Sequence, residues 1–306
     1  RCLECGCTEY NDCALRKYAD EYQLDISDYV GEVRKYQVDN RHPYNNMDAN
    51  KCINCGRCIR TCSEMLKVSA LGFVYRGFSA VARPAMENAL METNCISCGN
   101  CIDACPTGAI TEKYPYKVVG TLPRENHASI CNFCSLGCNL NYRKISDDIY
   151  YISNAQNEAV LQSHNQGYLC VKGRFGYRHL QELDRLLKPA IQREGKTRTV
   201  SIKEAVTHTQ QRIRDLVEKY GPESIGVFAS PKLSNEELYL LNKLARRGIG
   251  TNRIHSFSNL LSGLHGDRVD RSIGMAVSTT DFDQMQESDV VVTFNTDFTD
   301  ENHISA

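Results

Sequence analysis

The sequence lacks the features that mark membrane, exported and nucleic-acid-binding proteins. No apolar run approaches the roughly 18 residues that a membrane-spanning helix needs. No export signal or usable twin-arginine motif is found, because Arg246-Arg247 is internal. The 36 basic and 37 acidic residues nearly cancel, which argues against a nucleic-acid surface or a polybasic membrane patch. We therefore expect a cytoplasmic protein with no direct membrane span and no nucleic-acid partner.

An initial Met is also missing, and Arg1 stands one residue before a cysteine. We expect the sequence to be part of a longer polypeptide. Its 306 residues are enough for two or three domains.

Cysteine, in contrast, is abundant, with 16 residues. Disulfide frameworks of this density occur in short secreted chains, whereas this chain is long enough to bury a core without covalent links. Zinc sites and iron–sulfur clusters remain as explanations for the cysteines, and the spacing of the cysteines distinguishes between these two kinds of site. The cysteines fall into four groups of four, and none follows Cys170.

Two groups have the pattern Cys-x2-Cys-x2-Cys-x3-Cys, which is typical of bacterial two-cluster ferredoxins. In this pattern three thiolates on a tight loop reach three irons of one [4Fe–4S] cluster. The fourth lies too far along the emerging helix and ligates the neighbouring cluster. The spacing therefore predicts one cluster on Cys52, Cys55, Cys58 and Cys105, and another on Cys95, Cys98, Cys101 and Cys62.

Other residues of these two runs fit loops that wrap a cluster. Gly56 and Gly99 suit a tight turn that directs N–H groups at sulfurs. Ser63 follows Cys62 where proline is usual, but this departure removes no ligand. Because zinc sites usually show separated Cys-x2-Cys pairs, the continuous runs favour iron–sulfur clusters.

The third group combines three local thiolates with one remote thiolate, at Cys131, Cys134, Cys138 and Cys170. This arrangement fits a [4Fe–4S] cluster, and zinc is the alternative on spacing alone.

The fourth group is irregular and comprises Cys2, Cys5, Cys7 and Cys13. We expect a [4Fe–4S] site here also, with zinc or an incomplete site as alternatives. His42 is a possible substitute ligand, although a lone histidine in a polar loop is more often solvated.

The chain divides into four segments. Residues 1–50 hold the fourth cysteine group, a predicted helix over 14–30 and a polar linker over 31–50. Residues 51–120 form an α+β ferredoxin-like two-cluster module whose cysteine motif is an internal repeat. Residues 121–185 form a small β-rich [4Fe–4S] module, with a strand at 149–152. Residues 186–306 begin an α/β domain.

Capping signals and apolar runs predict the elements of the α/β domain. Ser201 with Glu204 and Ser234 with Glu237 form capping boxes that begin two helices, and Gly221-Pro222 ends the first. Strands are predicted at residues 225–229, 253–256 and 289–295. Alternating strands and helices indicate a parallel sheet. Without a G-x-G-x-x-G motif, a dinucleotide site of the usual kind is not indicated.

Several stretches resemble a known superfamily: KCINCGRCIR at 51–60, ALGFVYRG at 70–77, CPTG at 105–108, the group from Cys131 to Cys138, and GYLCVKGRFGY at 167–177. Residues 125–306 resemble the start of the molybdopterin oxidoreductase superfamily. Residues 1–115 resemble the iron–sulfur segment that precedes that domain in two relatives. These are formate dehydrogenase catalytic subunits and the large iron–sulfur subunit of NADH dehydrogenase (respiratory complex I). The opening RCLECGC resembles the end of a glutamate-synthase-type flavin domain, to which this segment is fused in some proteins.

The resemblance gives Lys172 a possible role. The superfamily has a lysine between cluster and pterin two residues past the fourth ligand, and Lys172 occupies this position after Cys170. This implies a residue on the electron path, with an ordinary surface lysine as the alternative.

The sequence departs from the formate dehydrogenase pattern at the metal ligand. There, a Cys or selenocysteine followed by His ligates molybdenum or tungsten just beyond a Thr-Asn motif like that at 251–252. The corresponding positions here are Leu261 and Ser262, and a leucine side chain has no donor atom. Ser258, Ser262 or Asp267 could ligate only after a shift of register. The comparison implies a degenerate molybdopterin-type domain without molybdenum or tungsten.

Together these patterns predict an iron–sulfur electron-transfer subunit with four [4Fe–4S] clusters. It would belong to a multi-subunit NAD(P)H-, hydrogen- or formate-linked oxidoreductase. The expected partners are a flavin- and NAD(P)H-binding subunit or domain and a ferredoxin or hydrogenase-like protein. No catalytic residue stands out in the chain itself. The alternative is an active molybdenum or tungsten formate dehydrogenase subunit.

Overall fold

The structure is a computed structural model that describes residues 13–24, 31–113, 125–134, 136–146, 149–153, 163–182, 184–193, 195–230, 232–256 and 280–293. The chain forms two units. The first takes in residues 1–131, 136–181 and 292–306, and the second takes in 132–135 and 182–291.

The first helix, α1, is shorter than the sequence suggests and spans Ala14–Glu21. It ends because Gln23 adopts a positive φ of 51° and the Leu24 N–H donates to the Ala19 carbonyl over 3.0 Å, which closes the last turn. The predicted helix over 14–30 is therefore wrong for residues 22–24, and residues 25–30 lie outside the described residues.

The ferredoxin-like part of the first unit contains two small antiparallel sheets and two short helices. Strand β1 (Asn45–Met47) pairs with β4 (Ile110–Glu112), and β2 (Gly72–Val74) pairs with β3 (Val81–Arg83). The helices are α2 (Arg57–Arg60) and α3 (Asn100–Ala104). Short 3-10 turns lie at Ala49–Lys51, Gly77–Ser79, Ala85–Glu87 and Leu90–Glu92. The apolar core around both helices comprises Ala70, Leu71, Ala82, Leu90, Ile102, Ile110 and Phe175.

The two cysteine runs diverge after their helices. Helix α2 continues into a π-helical turn at Thr61–Met65, which carries Cys62. The Ser63 hydroxyl lies within this turn and donates to the Ile59 carbonyl over 2.9 Å. Helix α3 instead ends at Ala104, two residues before Pro106. A proline cannot continue a helix, so the serine in the first run permits the longer turn.

The predicted linker over 31–50 is packed against the ferredoxin-like part. Asp39 and Met47 exchange two backbone hydrogen bonds of 2.8 Å, and Tyr36 N–H donates to Asn50 Oδ1 over 2.8 Å. Residues 45–47 form β1, whose partner strand lies more than 60 residues further along the chain. The linker interpretation is therefore wrong for these residues, because the strand that pairs with them is distant in sequence.

A three-stranded antiparallel sheet follows, formed by β5 (Glu125–Ile130), β6 (Asn139–Ser146) and β7 (Ile149–Ser153) in that order. The strand predicted at 149–152 is confirmed. Helix α4 (Val171–Phe175) begins after Cys170 and runs into a 3-10 turn at Gly176–Gln181.

Buried polar contacts join this segment to the ferredoxin-like part within the first unit. Arg174 is fully buried. Its guanidinium donates to the Ile152 carbonyl over 2.5 Å and to the Gly99 carbonyl over 2.9 Å, and it pairs with Asp103 at 2.8 Å. A guanidinium offers several donors in a fixed plane, so one side chain ties three elements together.

The second unit begins with the hairpin β8 (Ala190–Arg193) and β9 (Lys196–Thr199), followed by α5 (Ile202–Tyr220). Strands β10 (Val227–Ala229) and β11 (Ile254–Ser256) pair in parallel. Between them lie α6 (Asn235–Lys243) and a π-helical turn at Leu244–Ile249. A 3-10 turn at Pro222–Ser224 and helix α7 (Phe282–Gln286) complete the described elements of this unit.

The predicted helix starts are confirmed, but they differ in detail. Ser234 and Glu237 make both bonds of a capping box. At Ser201 only the hydroxyl bond to the Glu204 N–H forms, because the Glu204 carboxylate pairs with Arg198.

The strand predicted at 289–295 is wrong for residues 289–293, which form no strand. Their apolar side chains are exposed, and no described strand pairs with them. An apolar run becomes a strand only where another strand satisfies its backbone groups. Residues 294 and 295 lie outside the described part of the chain.

Glu112 gives the first unit a pH-dependent stability. Burial raises the pKa of this carboxyl from 4.5 to about 6, although Tyr177 donates to it over 2.8 Å and Arg174 and Arg178 lie near. A raised acid pKa in the folded state means that the folded chain binds the proton more tightly. The associated stabilisation is present below about pH 4.5 and is lost as pH rises through about 6.

We therefore expect Glu112→Gln to increase the free energy of unfolding above pH 6 by roughly 2 kcal/mol, with little change below about pH 4.5. Urea unfolding followed by circular dichroism from pH 4 to 8 measures this difference. Glu87→Gln, at a half-exposed carboxylate, is the matched control and should leave the pH profile unchanged. A Glu112→Gln profile parallel to that of the parent chain would contradict the prediction.

Candidate metal centres

Two cavities in the ferredoxin-like part are each lined by four cysteines. The first has a volume of about 510 Å³ including its open mouth, and Met47, Ala82 and Ile110 form part of its apolar wall. Its four cysteines are Cys52, Cys55, Cys58 and Cys105. The second has a volume of about 370 Å³ and apolar walls that include Leu71 and Leu90. Its four cysteines are Cys62, Cys95, Cys98 and Cys101.

The fourth cysteine of each run thus lies in the cavity of the other run. Helix α2 and its π-helical turn carry the chain from Cys58 at the first cavity to Cys62 at the second. Helix α3 carries it from Cys101 at the second to Cys105 at the first. Each cavity therefore exists only when both runs are folded together.

Backbone N–H groups point at the sulfurs in an arrangement that repeats between the runs. Asn54 N lies 3.4 Å from Cys52 Sγ, and Ser97 N lies 3.4 Å from Cys95 Sγ. Both donors have positive φ, at 54° and 57°, which turns the peptide toward the preceding sulfur. Further N–H groups donate to the crossing cysteines, from Ala109 to Cys105 over 3.2 Å and from Ala70 to Cys62 over 3.3 Å.

Three of these thiols, at Cys58, Cys95 and Cys101, lie in surroundings that oppose their ionisation. Burial raises the pKa of Cys58 to about 12, and neighbouring thiols, Cys105 first, add to the shift. Burial likewise raises the pKa of Cys95 to about 11 and that of Cys101 well above its usual range. Metal ligation requires thiolates, so cavities lined by such buried thiols fit sites that supply positive charge.

The arrangement fits a multinuclear cluster better than a single ion or a disulfide. None of the cysteines in the described residues forms a disulfide. Within these residues, no three His, Cys, Asp or Glu side chains converge closely enough to hold one metal ion. Zinc would need its sulfurs about 2.3 Å from one point, whereas here the thiols surround a cavity.

The third cysteine group is partly assembled in the first unit. Cys131 and Cys138 are buried, and the Cys131 N–H donates to the Cys138 carbonyl over 2.8 Å. Cys170 precedes α4, and a Cβ on Gly173 of that helix would lie 3.7 Å from Cys131 Sγ. Cys134 is exposed and lies in the loop 132–135, which groups with the second unit.

Most of the remaining predicted site residues lie outside the described part of the chain. Of the fourth group only Cys13 is described, at the start of α1, while Cys2, Cys5 and Cys7 lie outside the described residues. Lys172 is exposed on α4. The stretch 257–279, which contains Leu261 and Ser262, also lies outside the described residues, as do Ser258 and Asp267.

His42 is not solvated, contrary to the alternative that the sequence favours. It is buried, and its Nδ1 accepts hydrogen bonds of 3.1 Å from the backbone N–H groups of Tyr44 and Asn45. The proton therefore resides on Nε2, which lies 3.2 Å from Ser97 Oγ and 4.0 Å from Cys95 Sγ. Burial, and then Lys113, lowers the pKa of this imidazole.

Two buried asparagines near the second cavity are not identified by sequence reasoning. Asn45 Nδ2 lies 3.9 Å from Cys101 Sγ. Asn100 stands between Cys98 and Cys101, and its amide bonds the backbone of Leu169. The position of Asn100 inside the cysteine run could have marked it as a residue near the site. Its hydrogen-bond partner Leu169 could not be predicted, because it lies 69 residues further along the chain.

No helix in the described part of the chain combines the length and apolarity needed to cross a membrane.

Family models match three consecutive parts of the chain. The ferredoxin-like domain of NADH-quinone oxidoreductase subunit 3 matches residues 42–111. The molybdopterin oxidoreductase Fe4S4 domain matches residues 125–182, and the molybdopterin oxidoreductase domain matches residues 185–306. These matches confirm the superfamily that the sequence motifs indicate.

Curated relatives match nearly the whole chain. The NADPH-Fe(3+) oxidoreductase subunit alpha of Geobacter sulfurreducens is 28% identical over 302 residues, which cover 96% of this chain and 34% of that protein. A putative formate dehydrogenase of Staphylococcus aureus is 24% identical over 336 residues, with 96% and 33% covered. A probable oxidoreductase of Bacillus subtilis is 25% identical over 345 residues, with 98% and 34% covered. The chain spans about a third of the length of these relatives.

A solved structure of an NAD+-reducing [NiFe]-hydrogenase in the H2-reduced state is similar at 25% identity and a TM-score of 0.33. The similarity covers 39% of this chain and 50% of that chain.

The crossed cavities lead to a prediction about ligand exchange. Cys105→Ser should remove iron from the cavity of Cys55, because both thiols line it, and should leave the other cavity loaded. The EPR spectrum of the reduced variant should therefore match that of Cys55→Ser and differ from that of Cys98→Ser. A Cys105→Ser spectrum that matches Cys98→Ser instead would contradict the crossed arrangement.

The His42 geometry leads to a second prediction. Replacing His42 with Leu removes an N–H donor near Cys95 Sγ and should make the midpoint potential of that site more negative by roughly 20–60 mV, the equivalent of one hydrogen bond. A redox titration followed by EPR measures the shift, with iron content as the check on loading. His127→Leu, at an exposed histidine, is the control. An unchanged potential in fully loaded His42→Leu would refute the role.

Proposed function

Because residues 125–306 carry the Fe4S4 and molybdopterin domains of the molybdopterin oxidoreductase family, we propose that the chain is the iron–sulfur electron-transfer part of a larger oxidoreductase. It relays single electrons between a flavin site and a ferredoxin-like or other redox partner. The observation that carries the proposal is the pair of neighbouring four-thiol cavities, each completed by a cysteine from the other run.

The two cavities are proposed to hold one [4Fe–4S] cluster each, on the four cysteines that line them. A bound cluster supplies reversible one-electron chemistry. The protein holds the ligands in an apolar core, excludes bulk water with residues such as Leu71 and Ile110, and directs N–H groups at sulfurs. Burial and N–H···S bonds are the properties by which a protein sets the potential of such a site.

We extend the same assignment to the other two cysteine groups. The proposed ligands of the third cluster are Cys131, Cys134, Cys138 and Cys170. The hydrogen bond from the Cys131 N–H to the Cys138 carbonyl and the approach of Gly173 on α4 to Cys131 Sγ support the assignment for the first unit. The proposed ligands of the fourth cluster are Cys2, Cys5, Cys7 and Cys13. Lys172 follows the third site on α4 and is proposed to lie on the electron path toward the following domain.

The donor and acceptor belong to other parts of the assembly. One relative is named an NADPH-Fe(3+) oxidoreductase subunit, which supports a flavin- and NAD(P)H-binding partner. The chain spans only about a third of that relative, so substrate chemistry is assigned to the remaining domains or subunits.

The molybdopterin-type domain is proposed to be degenerate. Leu261 stands where formate dehydrogenases place the metal ligand, and a leucine offers no lone pair to molybdenum or tungsten. The alternative is an active formate dehydrogenase, which the molybdopterin domain match and the putative formate dehydrogenase of Staphylococcus aureus favour.

Metal analysis and reduction of the full-length protein, purified without oxygen, test the proposal. We expect about sixteen irons and as many sulfides for the sixteen cysteines, from four clusters of four irons each, with no molybdenum or tungsten. NADPH in the presence of the flavin partner should bleach the visible absorption, and formate should not. About eight irons would limit the proposal to the two cavities. Stoichiometric molybdenum or tungsten with rapid bleaching by formate would establish the alternative.

A further inference from the structure

Asn100 occupies an unusual position beside the second cavity. It is the first residue of α3, between Cys98 and Cys101, and only 1% of its surface is exposed. A fully buried amide must satisfy one oxygen and two N–H donors within the protein. Where those bonds go therefore determines what Asn100 connects.

The amide of Asn100 connects the second cavity to the peptide that precedes Cys170. Asn100 Nδ2 donates to the Leu169 carbonyl over 2.8 Å, and Asn100 Oδ1 accepts from the Leu169 N–H over 3.1 Å. The side chain also donates a hydrogen bond to the Cys98 thiol. One planar group thus bridges a sulfur of the second cavity and the backbone of the third cysteine group.

The Leu169 end of this bridge leads directly into the third group. Leu169 has no exposed surface, and its carbonyl carbon is bonded to the nitrogen of Cys170, which caps α4. Cys131 approaches the same turn, since a Cβ on Gly173 would lie 3.7 Å from Cys131 Sγ and 3.6 Å from the Leu169 side chain. From Cys98 Sγ to the Cys170 backbone, the connection requires two hydrogen bonds and one side-chain amide.

Neighbouring contacts hold the bridge in place. Gly99 has a φ of 71°, and a Cβ there would come within 2.7 Å of Phe175 and 3.1 Å of Arg174. Arg174 donates to the Gly99 carbonyl, and Phe175 stacks on Tyr44 with ring centroids 4.5 Å apart. The loop of the second cavity and the start of α4 therefore approach closely, and Arg174 and Phe175 are buried where they meet.

We propose that the Asn100 side-chain amide is the electron junction between the site of Cys62, Cys95, Cys98 and Cys101 and the cysteines Cys131, Cys138 and Cys170 of the same unit. The inference rests on the proposed function, since both sites must be loaded. One electron leaves one site, which is oxidised, and arrives at the other, which is reduced. No bond is broken and no proton is moved.

A purely structural role would use the two bonds to Leu169 alone. The third bond, from the amide to the Cys98 sulfur, distinguishes Asn100 from a residue that only joins two segments. Asn165 is such a residue: it is equally buried and bonds the backbone of Asn139 and Tyr168. It serves as a matched structural control.

The test is the rate of electron exchange between the two sites in the full-length protein. Flash photoreduction followed by freeze-quench EPR measures it, with each signal assigned by Cys98→Ser and Cys138→Ser. Asn100→Leu preserves volume but removes all three bonds, and it should slow exchange several-fold with iron content unchanged. Asn100→Asp is the second variant. It preserves the side-chain shape and the acceptor for the Leu169 N–H and removes the donors, so it breaks the connection by a different change from that in Asn100→Leu.

Two control variants separate the effect on electron exchange from a change in potential and from a loss of stability. Asn45→Leu removes an N–H near Cys101 Sγ without touching Leu169, so it should shift the potential of the second site and leave exchange unchanged. Asn165→Leu should lower stability and also leave exchange unchanged.

The possible results lead to different conclusions. Unchanged exchange in both loaded Asn100 variants, or an equal loss in loaded Asn165→Leu, would overturn the junction. Absence of iron from either site in the parent chain would overturn the proposed function, and the junction with it.

Discussion

The crossing of the two cysteine runs is the constraint on which the rest of the ferredoxin-like part depends. Each cavity takes three thiols from one loop and the fourth from the helix that leaves the other loop. Neither loop can form its site alone, so α2 and α3 must pack together. Ile102 and Leu90 belong to the apolar core in which they pack. The same packing places Cys58 and Cys101 in low dielectric, where burial opposes the ionisation of their thiols. Binding of positively charged iron would relieve this penalty, so cofactor binding and folding are expected to be coupled.

Local patterns predicted the parts of the structure that local chemistry determines. The strand over β7, the helix starts at Ser201 and Ser234 and the parallel pairing of β10 with β11 follow from alternation, capping and element order. The thiol groupings of the two ferredoxin-like runs could be proposed from spacing, because the distance between thiols along a helix is set by helix geometry. The superfamily could be inferred from motifs of ten or so residues, and the family models match the same segments.

The sequence could not predict contacts that depend on partners far along the chain. Residues 31–50 look like a linker because they are polar, yet β1 pairs with a strand near residue 110. His42 looks solvated for the same reason, but it is buried against Ser97, 55 residues away. The apolar run at 289–293 gives the opposite error: its apolar residues predict a strand, but none of the described strands pairs with it. Polarity indicates which residues tolerate water, whereas burial of a polar residue requires a partner that polarity alone cannot identify.

The docking of the third cysteine segment illustrates how such partners affect function. A buried ion pair such as Arg174–Asp103 contributes little net stability, because removing both charges from water offsets most of their attraction. Its geometry, however, is demanding: the guanidinium also bonds the carbonyls of Gly99 and Ile152, so only one relative placement satisfies it. Apolar packing alone would tolerate small displacements of α4 against α3. The polar contacts of Arg174 and Asn100 restrict that freedom, and they do so at Gly99, Asn100 and Leu169, which are the chain neighbours of Cys98, Cys101 and Cys170. An electron-transfer chain needs reproducible spacing between its sites more than it needs additional stability, and buried polar contacts are suited to provide it.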